Sequence, residues 1–136
     1  MPAFRAGAEI LALGLSQQHG CQPTEPDEGE ADPARVKLGR TLAGKKGFSC
    51  LSCHAIGEEN ANAVFEAPGP NLALAAGRLR KPYVLRWLMD PMRVEPWSKM
   101  PKFAEPGGRS PFTEYLDGDA MQQFDAIWQY LRAGVR

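Results

Sequence analysis

Cys50-Leu51-Ser52-Cys53-His54 is the stretch on which the reading of this chain turns. Two thiols three positions apart, with an imidazole directly after the second, form the C-x-x-C-H attachment signature of a c-type haem. The thiols can add across the two vinyl groups of a haem to give thioether bonds. The two intervening residues set the separation of the sulfurs and leave the imidazole under the iron, so His54 is the expected proximal ligand. A bare C-x-x-C also suits zinc or a redox dithiol. The histidine that follows favours haem.

Working outward, 136 residues suit one domain rather than two. At 43% hydrophobic residues the core is modest, and a buried cofactor would serve as its centre. Twelve prolines and fourteen glycines predict much irregular structure between helices. The formal net charge is zero but uneven. Residues 1–34 carry one base and six acids, whereas 35–136 carry fifteen bases and ten acids, so an acidic leader precedes a mildly basic module. Nothing in that balance forms a basic, aromatic platform for nucleic acid.

Three cysteines do not make a disulfide framework. Cys21 is left over from the motif, as a spare thiol able to form an intermolecular disulfide in an oxidising compartment. No run approaches the roughly 18 apolar residues of a membrane span. Ala6 to Ser16, interrupted by Glu9 and preceded only by Arg5, is a poor signal peptide. Covalent haem attachment normally follows export, so the chain reads as a mature or excised segment with an added Met1, working in the periplasm or otherwise exported.

The expected fold class is all-α. A short helix over 3–18 can put Phe4, Ile10, Leu11 and Leu15 on one side. Residues 20–33 are acidic and proline-containing and read as a linker, which divides the chain into an extension over 1–32 and a domain over 33–136. Asp32 is the expected N-cap of a helix with Pro33 in its first position. It would carry Val36, Leu38, Gly39 and Leu42 and end at Gly44 and Gly47, with the motif on a turn leading out of Phe48. Residues 57–79 read mostly as loop. A helix starting at Pro82 stops at Asp90-Pro91, because the residue before proline is pushed out of the helical region. Five prolines and two adjacent glycines make 91–116 a long wrapped loop. The last helix starts near Asp117 or Asp119 and carries Met121, Phe124, Ile127, Trp128 and Leu131 at the 3–4 spacing of a buried face, with Arg132 at its negative end and Gly134 terminating it. No strand is expected.

An iron held by one histidine needs a sixth ligand. Met89 and Met121 sit on expected helices, where thioethers commonly fill core gaps, and Met92 follows Pro91 at a helix exit. Met100 is favoured, because Pro101 forces it toward an extended backbone that can direct its side chain inward from a loop. A thioether stabilises ferrous iron relative to a second imidazole and closes the iron to substrates.

With these pieces in order, residues 33–134 resemble the class I monohaem cytochromes c of bacteria. The resemblance rests on a helix with Gly39 ahead of the motif, then Gly69-Pro70-Asn71-Leu72, the helix at 82–89, the Met100-Pro101 pair, and a closing helix with Ile127 and Tyr130-Leu131. It implies a cytochrome c-like fold of three to five helices wrapped around one covalently attached haem. It further implies that the Pro70 carbonyl accepts the imidazole N–H of His54, and that Gly39 is the small residue where the first and last helices cross, against Tyr130 or, as the second choice, Trp128. The leader over 1–32 and the long loop at 103–118 depart from the minimal fold. An acidic leader joined to such a module resembles cytochrome domains of larger redox proteins.

The expected function is one-electron transfer rather than enzymatic catalysis. The haem would be bound by Cys50 and Cys53, ligated by His54 and Met100, and packed by Phe48, Leu72, Trp87, Trp97 and Phe103. Each of these aromatic residues has ordinary core packing as its alternative. Lys45, Lys46, Lys99 and Lys102 flank the segments expected to meet the haem and can offer a weak basic docking surface to an acidic redox partner or fused redox domain. A ligand-binding or catalytic haem, as in a gas sensor or peroxidase, would need an open sixth position. A zinc module would draw on His19 and Cys21 together with Cys50, Cys53 and His54, leaving the Met100-Pro101 and Gly69-Pro70 pairs unexplained.

Overall fold

Asp32 and Pro33 start a helix as the sequence requires: the Asp32 carboxylate accepts the Ala34 N–H at 2.9 Å, and Pro33 needs no partner for its missing donor. The computed structural model describes residues 7–18, 28–63 and 68–134. Phe4, His19, Cys21 and Ala67 lie outside them. The helices are α1 (Ala8–Gln18), α2 (Pro33–Ala43), α3 (Ala75–Arg78), α4 (Lys81–Met89), α5 (Pro91–Val94) and α6 (Ala120–Arg132), with 3₁₀ turns at Cys50–Ser52, Leu72–Leu74 and Leu116–Gly118. Among the described residues there are isolated bridges but no strand, so the described part of the chain is all-α.

Among the described residues of 33–134 there are five α-helices, within the three to five expected, and two of them, α3 and α5, are single turns inside segments read as loop. Asn71 opens the first by accepting the Ala73 N–H at 3.0 Å, and the 3₁₀ turn it caps runs directly into α3. Pro91, which ends α4, also starts α5. Four residues are too few to leave a periodic signal in sequence. The remaining boundaries follow local chemistry. Gly44 closes α2, Asp119 caps α6 through the Gln122 N–H, and Gly134 leaves the helix at φ +83°.

The core is built on α2 crossing α6. A Cβ at Gly39 would enter the Ala126 carbonyl and lie 2.8 Å from the Cβ of Tyr130, so the two backbones touch there. Trp128, the second choice for this crossing, is used elsewhere. Its indole N–H donates to the Glu28 carboxylate, 3.0 Å from either oxygen. Beneath the crossing, α6 buries Phe124, Ile127 and Leu131 beside Leu42 of α2 and Val84 and Leu88 of α4. Phe48 meets Phe103, Phe112 and Phe124 at ring separations of 5.0–5.1 Å.

The long loop before α6 is stapled to it by Gln123, which is 0% exposed. Its amide donates to the carbonyls of Phe112 and Tyr115, and its oxygen accepts from Ser110. The end of the acidic leader is also fastened to α6. Arg132 donates to the Gly29 carbonyl at 2.7 Å, the Asp32 N–H donates to Gln129, and Lys81 bridges Glu28 and Asp125. Residues 28–32 therefore pack with the helices that follow them. In contrast, α1 has no buried residue among those described, and Ile10 is 78% and Leu11 65% exposed.

Candidate functional site

Between α2 and the motif the chain reverses at Ser49, whose φ of +56° is left-handed. That reversal carries Cys50 into the core while Phe48, on its other side, anchors the phenylalanine cluster. Cys50 to Ser52 form one 3₁₀ turn. The N–H groups of Cys53 and His54 both donate to the Cys50 carbonyl, at 3.2 and 2.9 Å. Both motif cysteines are free thiols, Cys50 buried and Cys53 half-buried. Burial pushes the Cys50 thiol up to about 11; a backbone hydrogen bond opposes that rise, and the neighbouring Cys53 adds to it.

His54 is held from below by the 69–72 segment. Gly69 donates its N–H to the Cys53 carbonyl at 2.7 Å, and Leu72 donates to Ala55 at 2.9 Å. Asn71 closes the register by pairing both ways with the Gly57 backbone, at 3.0 and 2.8 Å. This pairing lays the imidazole across Gly69, where a Cβ would run into the ring. It also brings Nδ1 to 2.8 Å from the Pro70 carbonyl. A carbonyl can only accept, so Nδ1 carries a proton, and in the neutral ring Nε2 keeps its lone pair. The result is an oriented imidazole with one free nitrogen donor, beside two free thiols. That donor set fits the proximal side of a covalently held haem.

Met100 is half-buried and packs against the core. Its sulfur accepts the indole N–H of Trp87 at 3.1 Å. Its own N–H donates to Ser98 Oγ at 3.2 Å, and Lys102, two residues on, pairs with Asp90 at the end of α4 at 2.8 Å. Among the residues expected to pack a haem, Leu72 and Phe103 are half-buried against the core, and Phe48 is buried within its aromatic cluster. Trp97 differs. It is 88% exposed, on the turn after α5 where its N–H is tied to the Glu95 carboxylate. Of the four lysines, Lys45, Lys46 and Lys99 are exposed, and Lys102 is engaged by Asp90.

Sequence reasoning passed over Gly69 and Asn71 as working residues, although both stand in the quoted Gly69-Pro70-Asn71-Leu72 run. It also missed Phe112 in the aromatic cluster and Gln123 under the loop. Asn two residues before an N–H it can cap is a legible signal; a buried glutamine is not. Among the described residues no three side chains from His, Cys, Asp and Glu converge as a metal-holding group. A zinc set would have to draw on His19 and Cys21. No helix among the described residues is long and apolar enough to cross a membrane. No protein-family model, curated protein or solved structure matches this chain.

Proposed function

We propose that this protein is a one-electron carrier of the cytochrome c type. A haem joined to Cys50 and Cys53 would supply a single Fe(III)/Fe(II) couple between His54 and Met100. The observation that carries the reading is the His54 Nδ1–H bond to the Pro70 carbonyl directly after a C-x-x-C pair. It fixes the tautomer, aims Nε2, and raises the basicity of the imidazole as a ligand. Gly69 supports the ring from beneath, and the 3₁₀ turn holds both sulfurs on one short span of backbone.

Met100 would be the second protein ligand of such a haem; its sulfur accepts the Trp87 N–H and its own N–H donates to Ser98. A thioether there favours the ferrous state and keeps small ligands from the iron, which suits electron transfer over catalysis. Exposed Lys45, Lys46 and Lys99 give the surface a weak preference for an acidic redox partner. The proposed setting is the periplasm or another exported location.

The test is expression in a host able to attach haem c, followed by oxidised and reduced absorption spectra with and without carbon monoxide. A low-spin spectrum with a methionine–iron band, unchanged by carbon monoxide, is the expected result. A marked carbon monoxide shift would move the function to sensing or catalysis. Absence of covalent haem would overturn both and direct attention to zinc.

A further inference from the structure

Trp97 is more exposed than any other large apolar side chain among the described residues, and Met92 and Val94 just before it are also exposed, at 49% and 47%. The turn that carries the indole is fixed from within. Glu95 donates its N–H to the Pro91 carbonyl and Ser98 donates to the Glu95 carbonyl, each at 2.9 Å. The Glu95 carboxylate accepts the Trp97 N–H at 3.2 Å. A large ring on a fixed turn loses little freedom when a partner covers it, and tryptophan is among the residues that dominate interfaces.

The charge around this turn is one-sided. Residues 72–102 hold seven bases and two acids, and the rest of 35–136 holds eight of each, so the whole positive excess of the module lies in this stretch. Both acids are engaged, Asp90 by Lys102 and Glu95 by its own turn. Arg78, Arg86, Arg93 and Lys99 are exposed, and guanidinium forks suit carboxylates. Two copies meeting through this turn would set Arg93 and Lys99 against their own kind, which disfavours a second copy as the occupant. We infer that Trp97 is the docking anchor for a redox protein whose contact face is an apolar opening rimmed by carboxylates, seated three residues from Met100. The inference rests on the electron-transfer reading above and gives that reading its contact surface. Trp97 sets how long the partner stays; Arg93 and Lys99 set how fast it arrives.

The experiment uses the haem-loaded full chain with two donors: reduced flavodoxin, a small acidic one-electron protein, and hexaammineruthenium(II), too small to need docking. In each case one electron passes to Fe(III), leaving Fe(II) and either the flavin semiquinone or Ru(III). For Trp97→Ala, haem content and the ruthenium rate are expected to be unchanged, while half-saturation by flavodoxin rises at least tenfold. Arg93→Gln is expected to slow the flavodoxin reaction at low salt and to match wild type at high salt. Equal saturation in wild type and Trp97→Ala, or none in wild type, overturns the inference and leaves electron transfer standing. A Trp97→Ala chain with less haem or an altered methionine–iron band places the indole on the haem and also overturns it. Trp97-dependent binding to phosphatidylglycerol vesicles without flavodoxin binding, or Trp97-dependent self-association in sedimentation, does the same. A wild type lacking covalent haem overturns both readings.

Discussion

The imidazole of His54 lies so closely over Gly69 that a methyl group added there would sit 2.9 Å from Nε2 and overlap the Nδ1–Cε1 edge. Gly69 does not occupy the left-handed region, so space rather than backbone freedom makes glycine necessary. Gly69→Ala is therefore expected to displace the ring from the Pro70 carbonyl and to cost about 1–3 kcal/mol, as for other overpacked sites. Urea unfolding together with the yield of haem-loaded protein checks this. A variant matching wild type in both would show that the ring is not confined.

At Gly39 the main obstacle is the Ala126 backbone carbonyl, which cannot rotate away as a side chain can. Gly39→Ala must push α2 from α6 at the Ala126 carbonyl. A loss of about 3 kcal/mol, at the upper end for overpacking, is expected, read as a fall in denaturant midpoint with little change in slope.

Gln123 is a full hydrogen-bonding partner to the loop it staples. Gln123→Leu keeps the bulk but strands the Phe112 and Tyr115 carbonyls and the Ser110 hydroxyl. About 3 kcal/mol of destabilisation is expected, the low end for three groups left unpaired at 1–3 kcal/mol each, two of them only part-buried. Hydrogen exchange should show the loop over 103–118 opening before α6 does. Simultaneous opening would argue against the staple.

The strap at the leader's end carries a pH signature. Burial tends to raise the Asp125 carboxyl, but Lys81 and Gln129 outweigh it, so its pKa falls below the ordinary carboxylate value. Its contribution is present above about pH 4 and is lost as pH drops through the depressed folded value. For Lys81, burial works downward, but Asp125 and Glu28 hold its pKa above the ordinary lysine value. That contribution is intact below about pH 10 and fades as pH rises through the folded value. Trp128→Phe, which removes the donor to Glu28, is expected to cost about 1.5–3 kcal/mol at pH 7. Melting temperatures of wild type and Lys81→Met across pH 3–11 should differ most between these limits. A constant difference across the range would contradict the network.

Ser49 sits in the left-handed region at φ +56°, where glycine is at ease and serine is not. Its side chain makes no cap to the turn that follows. Ser49→Gly is expected to relieve strain and raise stability by up to about 1 kcal/mol, visible as a small rise in melting temperature. A fall would mean the hydroxyl contributes more than the backbone loses.

Much of the helical frame was legible because its signals are local. Asp32-Pro33, Pro82, Asp90-Pro91 and Asp119 each set a boundary through their own backbone chemistry, and Gly39 marked the close crossing. The short turns at Leu72–Leu74, α3 and α5 were hidden because one turn has no periodicity. Trp97 stands 88% exposed on the turn after α5, a placement that residue type alone does not announce. The Trp87–Met100 bond joins residues thirteen positions apart across a loop, and no pattern in sequence announces a contact made by the path between two elements.

Because α2 packs on α6 where Gly39 meets Ala126, that crossing cannot close until α6 has been made. Closures between distant segments are slow compared with local helix formation. Once that crossing has closed, Cys50 is 8% exposed and burial raises its thiol pKa. Under the proposed function the order of assembly then follows from topology: attachment first, closure second, with the late arrival of α6 keeping the door open for the enzyme or cofactor that must reach the thiol.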